Sequence, residues 1–251
     1  MQKSIFDARR HALIKARADR SGADSFLLER AFQDALERVT LAEHRTIAIV
    51  GRHRPAWLEM FEAQGVRALA IDPHAIESGD ADRLADDRDI GDLLGQCSLV
   101  LSLGLLDHCN DPKLAAFLLG QMLAPGGILV GSIVGGESLR LLRTVMLELD
   151  RAGGRAAGRF HPMMNGQSLA GLFGDAGLQR TVIDVDRLTV RYRNLGHLVS
   201  DLRDMGCTRT LASSSTPLSP SAWRRTMVAM LGDPIEERFD LINFTAQKAD
   251  G

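Results

Sequence analysis

LVLSLGLLDHCNDPKLAAFLLGQMLAPGGILVGSIV, residues 99–134, holds the pattern that decides the fold. It opens on an unbroken apolar run, LVLSLG (99–104), and closes on another, ILVGSIV (128–134). Between them Asp111-Pro112 marks a helix start: aspartate caps free N–H groups, and proline is tolerated in the first turn because it lacks one. The helix so predicted runs to Met122, and Ala124-Pro125-Gly126-Gly127 predicts a turn. Strands that are apolar throughout, rather than alternating, are buried on both faces, as in a parallel sheet covered by helices.

The alternation extends outward in both directions. TIAIVG (46–51) and VRALAID (66–72) are earlier buried runs around a predicted helix over 55–64. Two amphipathic helices are predicted before them, over 5–20 and 25–39. Residues 77–92, dense in Asp and Gly, read as a solvated loop or a short helix. Past residue 134, helices are predicted over 137–150, 167–176, 194–205 and 221–231, with loops over 151–158 and 212–220. QRTVIDVDRLTVRY (179–192) and ERFDLINFTAQ (237–247) are β-prone and suit an antiparallel hairpin at one sheet edge. The sum is an α/β fold with a doubly wound, mostly parallel sheet and right-handed crossovers.

Composition narrows the function. Thirty basic against 32 acidic side chains leave a net charge of -2, and aromatic residues make up 5%. Neither favours nucleic acid as the partner, which needs a basic footprint or stacking platforms. Cys97, Cys109 and Cys207 fit no disulfide framework or zinc spacing, which points to a reducing, cytoplasmic compartment. No apolar run reaches the roughly 18–20 residues that span a bilayer. The basic N-terminus has the pattern of an organelle presequence, but Asp7 and Asp19 argue for a structural helix.

Four stretches carry a family likeness: IFDARRHALIKARADR at the N-terminus, NDPKLAAFLLGQMLAPGGILVGSIVGGESLRLLR (110–143), DVDRLTVRY (184–192) and LVSDLRDMG (198–206). With them the chain resembles the class I S-adenosylmethionine-dependent methyltransferases. The branch is the one that includes malonyl-acyl carrier protein O-methyltransferases and complex I assembly factor arginine hydroxylases. The resemblance implies a seven-stranded sheet whose last two strands form the edge hairpin. It implies a single domain over 1–251, with N-terminal helices (1–42), a cofactor-side half (43–150) and an acceptor-side half with the hairpin (151–251). Three function classes follow from it: a methyltransferase acting on a small-molecule carboxyl or hydroxyl or on a protein side chain, a hydroxylase using the same cleft, and a noncatalytic binding or assembly factor.

The same likeness assigns the candidate cofactor residues. Members carry a GxGxG-type loop after the first strand; here IAIVGRHRPAW keeps Gly51 alone, with Arg52, His53 and Arg54 where small residues are expected. Either a reshaped loop still admits S-adenosylmethionine or the loop has lost it. Asp72 ends the second strand, where a carboxylate can accept both hydrogen bonds of a ribose diol or else cap the next helix. Asp89, chosen over Asp86 and Asp87, is placed near the adenine. The backbone at Leu103 and Gly104 is placed against the methionine portion.

Methyl transfer asks the protein mainly for alignment, with a general base where the acceptor is a hydroxyl or amine. Asp107 and His108 are the candidate catalytic residues, with a structural histidine as the alternative; no metal site is predicted. His161 reads as a surface-loop residue rather than a pocket wall. Gly135-Gly136 is either an anion site at a helix start or a tight turn. DVDRLTVRY is either acceptor-side lid or a salt-bridge ladder. Trp57 and Trp223 read as packing anchors. A protein partner is a candidate occupant for the N-terminal helices.

Overall fold

In TIAIVG, successive side chains alternate across the strand, and both sides are apolar. Ile47 and Ile49 enter one core and Ala48 and Val50 another. This is the chemical reason for two helical layers, and the computed structural model has them. It describes residues 4–21, 25–72, 93–152, 160–208, 210–212 and 220–250.

The elements are α1 (Ala8–Ser21), α2 (Phe26–Leu36), β1 (Thr46–Gly51), α3 (Pro55–Ala63), β2 (Arg67–Ile71), β3 (Cys97–Leu103), α4 (Pro112–Met122) and β4 (Leu123–Gly135). There follow α5 (Arg140–Ala152), α6 (Gly166–Asp175), β5 (Gln179–Tyr192), α7 (Leu195–Asp204), α8 (Pro220–Leu231) and β6 (Ile235–Gln247). The sheet order is β2-β1-β3-β4-β6-β5. β2, β1, β3 and β4 are parallel; β6 runs antiparallel to both β4 and β5. Six strands among the described residues replace the seven implied by the family likeness. Of the segment that joins β2 to β3, residues 73–92, which hold the predicted loop or short helix, lie outside those residues.

One face of the sheet packs against α2 and α3 through Phe32, Trp57 and Phe61, with Trp57 stacked on Phe32 at 3.9 Å. The other packs against α4 and α6 through Leu119, Leu169 and Phe173. A third cluster joins α5, α7 and α8 to the hairpin around Leu198, Met227 and Phe239. Asp111 caps α4 where the sequence puts a helix start, and Ser25, Asn165 and Asn194 likewise each accept from a first-turn N–H of α2, α6 and α7.

Several boundaries depart from the sequence reading: α1 starts at Ala8 rather than 5 and α2 ends at Leu36 rather than 39. The turn expected at 124–127 is part of β4, which starts at Leu123. Cys97 pairs with Leu123 and Leu99 with Ile128, so an irregularity in the ladder takes up the extra residues. Helix α5 starts at Arg140 rather than 137, because Ser138 and Glu137 bond to β6 first.

Among the described residues the two core layers form separate clusters on opposite faces of the sheet, which gives a direct test. Phe61→Ala and Phe173→Ala, each at a fully buried site, should each cost about 3–5 kcal/mol in denaturant unfolding. The double variant should be close to additive; strong coupling between the two would contradict separate layers.

Candidate functional site

In an open parallel sheet, ligands bind beyond the carboxyl ends of the strands where the strand order reverses. Here that point lies between β1 and β3, since the chain leaves β1 toward β2 on one side and β3 toward β4 on the other. Two neighbouring groups of polar side chains occupy this edge.

The first surrounds the ends of β1 and β2. Gly51 has φ +104, and a Cβ there would stand 2.4 Å from the Leu103 carbonyl oxygen. The lone surviving glycine is therefore required by the close approach of β1 to β3. The Arg52 N–H donates to that same carbonyl at 2.7 Å. The Arg52 side chain then lies over Gly104, its aliphatic carbons 3.4–3.8 Å from where a Cβ would be. Its guanidinium donates to the Met205 carbonyl and reaches Asp19 at 3.4 Å. Asp72 follows β2, with its side chain 7% exposed, and Lys15 of α1 places Nζ 2.7 Å from its Oδ2. The same ammonium meets Asp19 at 2.6 Å. Burial works to lower the Lys15 pKa, but Asp72 and Asp19 outweigh it and hold the amine charged.

Leu103 itself is fully buried and offers only backbone. Arg54 turns away to Glu29 of α2, 3.7 Å distant, and His53 Nδ1 lies 3.4 Å from the Gly51 carbonyl. Asp89, with Asp86 and Asp87, lies outside the described residues.

The second group sits just past β3. The Val134 N–H donates to Asp107 Oδ2 at 3.3 Å, pinning the carboxylate to the end of β4. Its other oxygen lies 3.2 Å from His108 Nδ1. That contact is a close ion pair without an aligned hydrogen bond, and His108 Nε2 has no hydrogen-bond partner among the described residues. The His161 ring stands edge-on to His108 with centroids 4.7 Å apart, and His161 Nε2 lies 2.5 Å from Thr210 Oγ1. Phe6 and His11 close the group from the N-terminal side, with ring centroids 5.9 and 5.0 Å from His108.

Charge divides the two histidines. Burial works to lower His108, but the adjacent Asp107 carboxylate outweighs it, with a contribution from the Cys207 thiol, and pushes its pKa up to about 10. Burial and the His108 charge together push His161 down to about 4. Asp107 is drawn below its ordinary value against the cost of desolvation, because His108 and the Val134 N–H favour the carboxylate. A buried imidazolium thus faces a neutral imidazole.

Asp107 and His108 are brought together as the sequence suggested, whereas His161 turns inward instead of lying on the surface. Phe6, His11, Lys15 and Thr210 were not singled out. The available signal was His11, Lys15 and Asp19 at four-residue steps, which share one helix face.

Other candidates resolve differently. At Gly135-Gly136 no free anion site remains. Glu237 accepts from the Leu141 and Leu142 N–H groups, and Asp240 from Glu137. DVDRLTVRY forms the ladder: Asp184 pairs with Arg38 at 2.7 Å, Asp186 with Arg30 at 3.1 Å, and Arg191 with Glu236 at 3.9 Å. Trp57 is a core anchor; the Trp223 side chain lies outside the described residues. No group of three metal-ligating side chains occurs among the described residues.

Residues 29–182, more than half the chain, match the methyltransferase domain. This chain belongs to the methyltransferase-domain family. The mitochondrial arginine-hydroxylase NDUFAF5 of Danio rerio is 36% identical over 110 residues, 43% of this chain and 34% of that protein. Its Mus musculus counterpart is 29% identical over 158 residues, 60% of this chain and 46% of that protein. The chain therefore aligns with less than half the length of either relative. Among solved structures, the YcgJ protein of Bacillus subtilis superposes with a TM-score of 0.51 at 12% identity, covering 83% of this chain and 93% of that one. That likeness is one of fold. No described helix is long and apolar enough to cross a membrane.

The histidine pair makes stability depend on pH in opposite senses. His108 keeps its proton in the fold after the unfolded chain has lost it, so its contribution is full below about 6.5 and disappears as pH rises through about 10. His161 stays neutral where the unfolded chain is protonated, so stability falls as pH drops from about 6.5 toward about 4. In thermal melts across this range, His108→Gln should flatten the alkaline limb and His161→Gln the acid limb. An unchanged profile in either variant would remove that residue from the account.

Proposed function

We propose that this protein is an S-adenosylmethionine-dependent methyltransferase acting on a carboxyl, a hydroxyl or a protein side chain. The observation that carries the reading is Asp72, a buried carboxylate at the end of β2 beside the reversal of strand order. Membership of the methyltransferase-domain family supports it. The donor set fits the cofactor: Asp72, after β2, suits a vicinal diol, and Gly104, after β3 at φ +60, carries no side chain on the same edge. The fit requires Lys15 and Arg52 to leave the positions they hold. Asp89 is retained as an adenine-side residue and Gly51 as the residue that shapes the loop.

The cofactor, when bound, supplies an activated methyl group. The chain's own residues then have to hold and orient the acceptor. His108, kept protonated by Asp107, donates a hydrogen bond to an acceptor oxygen, and His161, held neutral, can accept one. The arginine-hydroxylase relatives make a protein side chain an acceptor class to assay beside small carboxylic acids and alcohols. The three free thiols fit a reducing, cytoplasmic setting.

A noncatalytic binding or assembly role is the second reading, favoured by the Lys15 ammonium on Asp72 and by Arg52 over Gly104. Calorimetric titration with S-adenosylmethionine and S-adenosylhomocysteine separates the two. Binding in the micromolar range, weakened at least about tenfold by Asp72→Asn, is expected of the enzyme. No heat and no thermal shift at millimolar ligand would leave the noncatalytic role.

A further inference from the structure

We propose that α1 is an autoinhibitory clamp, in which Lys15 competes with the ligand for Asp72; this rests on the cofactor reading of that cleft. Only one oxygen of Asp72 needs to be claimed for the competition to operate. Lys15 Nζ is 2.7 Å from Oδ2, and both side chains are largely buried, 13% exposed for Lys15 and 7% for Asp72. A ribose diol that uses both carboxylate oxygens would have to take Oδ2 from Lys15.

Lys15 is not an isolated contact. Asp19, one turn further along α1, binds Lys15 at 2.6 Å and Arg52 at 3.4 Å, and Arg52 continues to the Met205 carbonyl at the end of α7. One unbroken polar chain thus runs from β2 through α1 to the β1 loop and α7. It covers Asp72 and Gly104 at once, the two positions a cofactor would need.

The rest of the attachment places a hinge. Before α1, Asn110 accepts from the Ile5 and Phe6 N–H groups at 2.9 and 2.8 Å and donates to the Phe6 carbonyl at 3.1 Å. Asp7 N–H donates to Thr210 and Ala212 N–H to Ile5. The start of the helix is therefore stitched to the body, and the end that bears Lys15 and Asp19 is held by charge. Past His11, which packs against His108, the buried apolar side chains of the helix are Ala12 and Ala18, with Ile14 and Ala16 half-buried. Small side chains and one half-buried isoleucine make the apolar term resisting release of this end modest. The ion pairs carry the docking at this end. Release would break them without opening a large hydrophobic interface.

Closure and ligand occupancy are then linked: whatever binds Asp72 must release α1, and whatever releases α1 must favour binding. Hydrogen–deuterium exchange of the full chain reads the clamp, and calorimetry with S-adenosylhomocysteine reads the site. Lys15→Met should speed amide exchange in α1, leave β1–β3 unchanged, and tighten binding by roughly fivefold or more. Saturating ligand should speed exchange in α1 of the wild type. Asp72→Asn should free α1 to a similar extent yet bind poorly. Slower α1 exchange on ligand binding, or weaker binding by Lys15→Met, would overturn the proposal, since α1 would then be a wall of the site. Unchanged α1 exchange in both variants would also overturn it. Faster exchange in both variants with no binding by any form would sink the cofactor reading and the competition while leaving the clamp.

Discussion

A carboxylate nearly excluded from water at the end of a strand must be matched by positive charge or by hydrogen-bond donors, because an isolated buried anion is too costly to keep. Asp72 imposes that requirement on the ligand edge of this sheet, and Lys15 satisfies it. Much of the surroundings can be read as a consequence. Lys15 brings α1 across the edge, α1 brings Asp19 to Arg52, and Arg52 takes the place above Gly104. The cluster is also connected to the histidine group, because the N-terminal residues that lead into α1 place Phe6 and His11 against His108.

Acids elsewhere in the fold serve a different purpose. Glu237 and Asp240, on β6, accept from N–H groups around the start of α5, where the helix itself provides no acceptors. Those contacts are made within the architecture and have no competitor. Asp186 ties the outer strand to α2 through Arg30, and Asp184 ties it to the turn after α2 through Arg38, at solvent-accessible sites where ion pairs are individually weak. Asp72 and Asp107 differ from both sets. Each is buried at the open edge of the parallel strands, and each is matched by a basic side chain.

The architecture was legible in the sequence because it is written in long-range periodicity. Four apolar runs and two β-prone segments became the six strands, and the two apolar faces of the parallel runs pointed to a core layer on each side. Boundaries were less legible where a ladder decides them: the Pro-Gly-Gly of 124–127 has turn chemistry, yet pairing of Leu123 with Cys97 draws it into β4. In the candidate site, Asp72 and the Asp107-His108 pair could be picked out because they follow strands. Lys15, His161 and Thr210 could not, since each is placed by contacts between residues far apart in the chain. His161 meets Thr210 across 49 residues and Lys15 meets Asp72 across 57, distances over which local patterning says nothing.

The RHR that replaces small residues after Gly51 looks, in one dimension, like the loss of a loop. In three dimensions its members have separate employment. The Arg52 backbone extends the bonding of β1 to β3, His53 folds back toward Gly51, and Arg54 reaches α2. Of the three, the Arg52 side chain stands over the ligand edge, its guanidinium held there by Asp19 and the Met205 carbonyl. A hydrogen-bonded arginine on a long flexible stem can be displaced at the cost of its ion pair, whereas a bulky residue wedged against backbone could not. The substitution thus changes what must move before a ligand enters, and it leaves the strand ends that form the cleft in place.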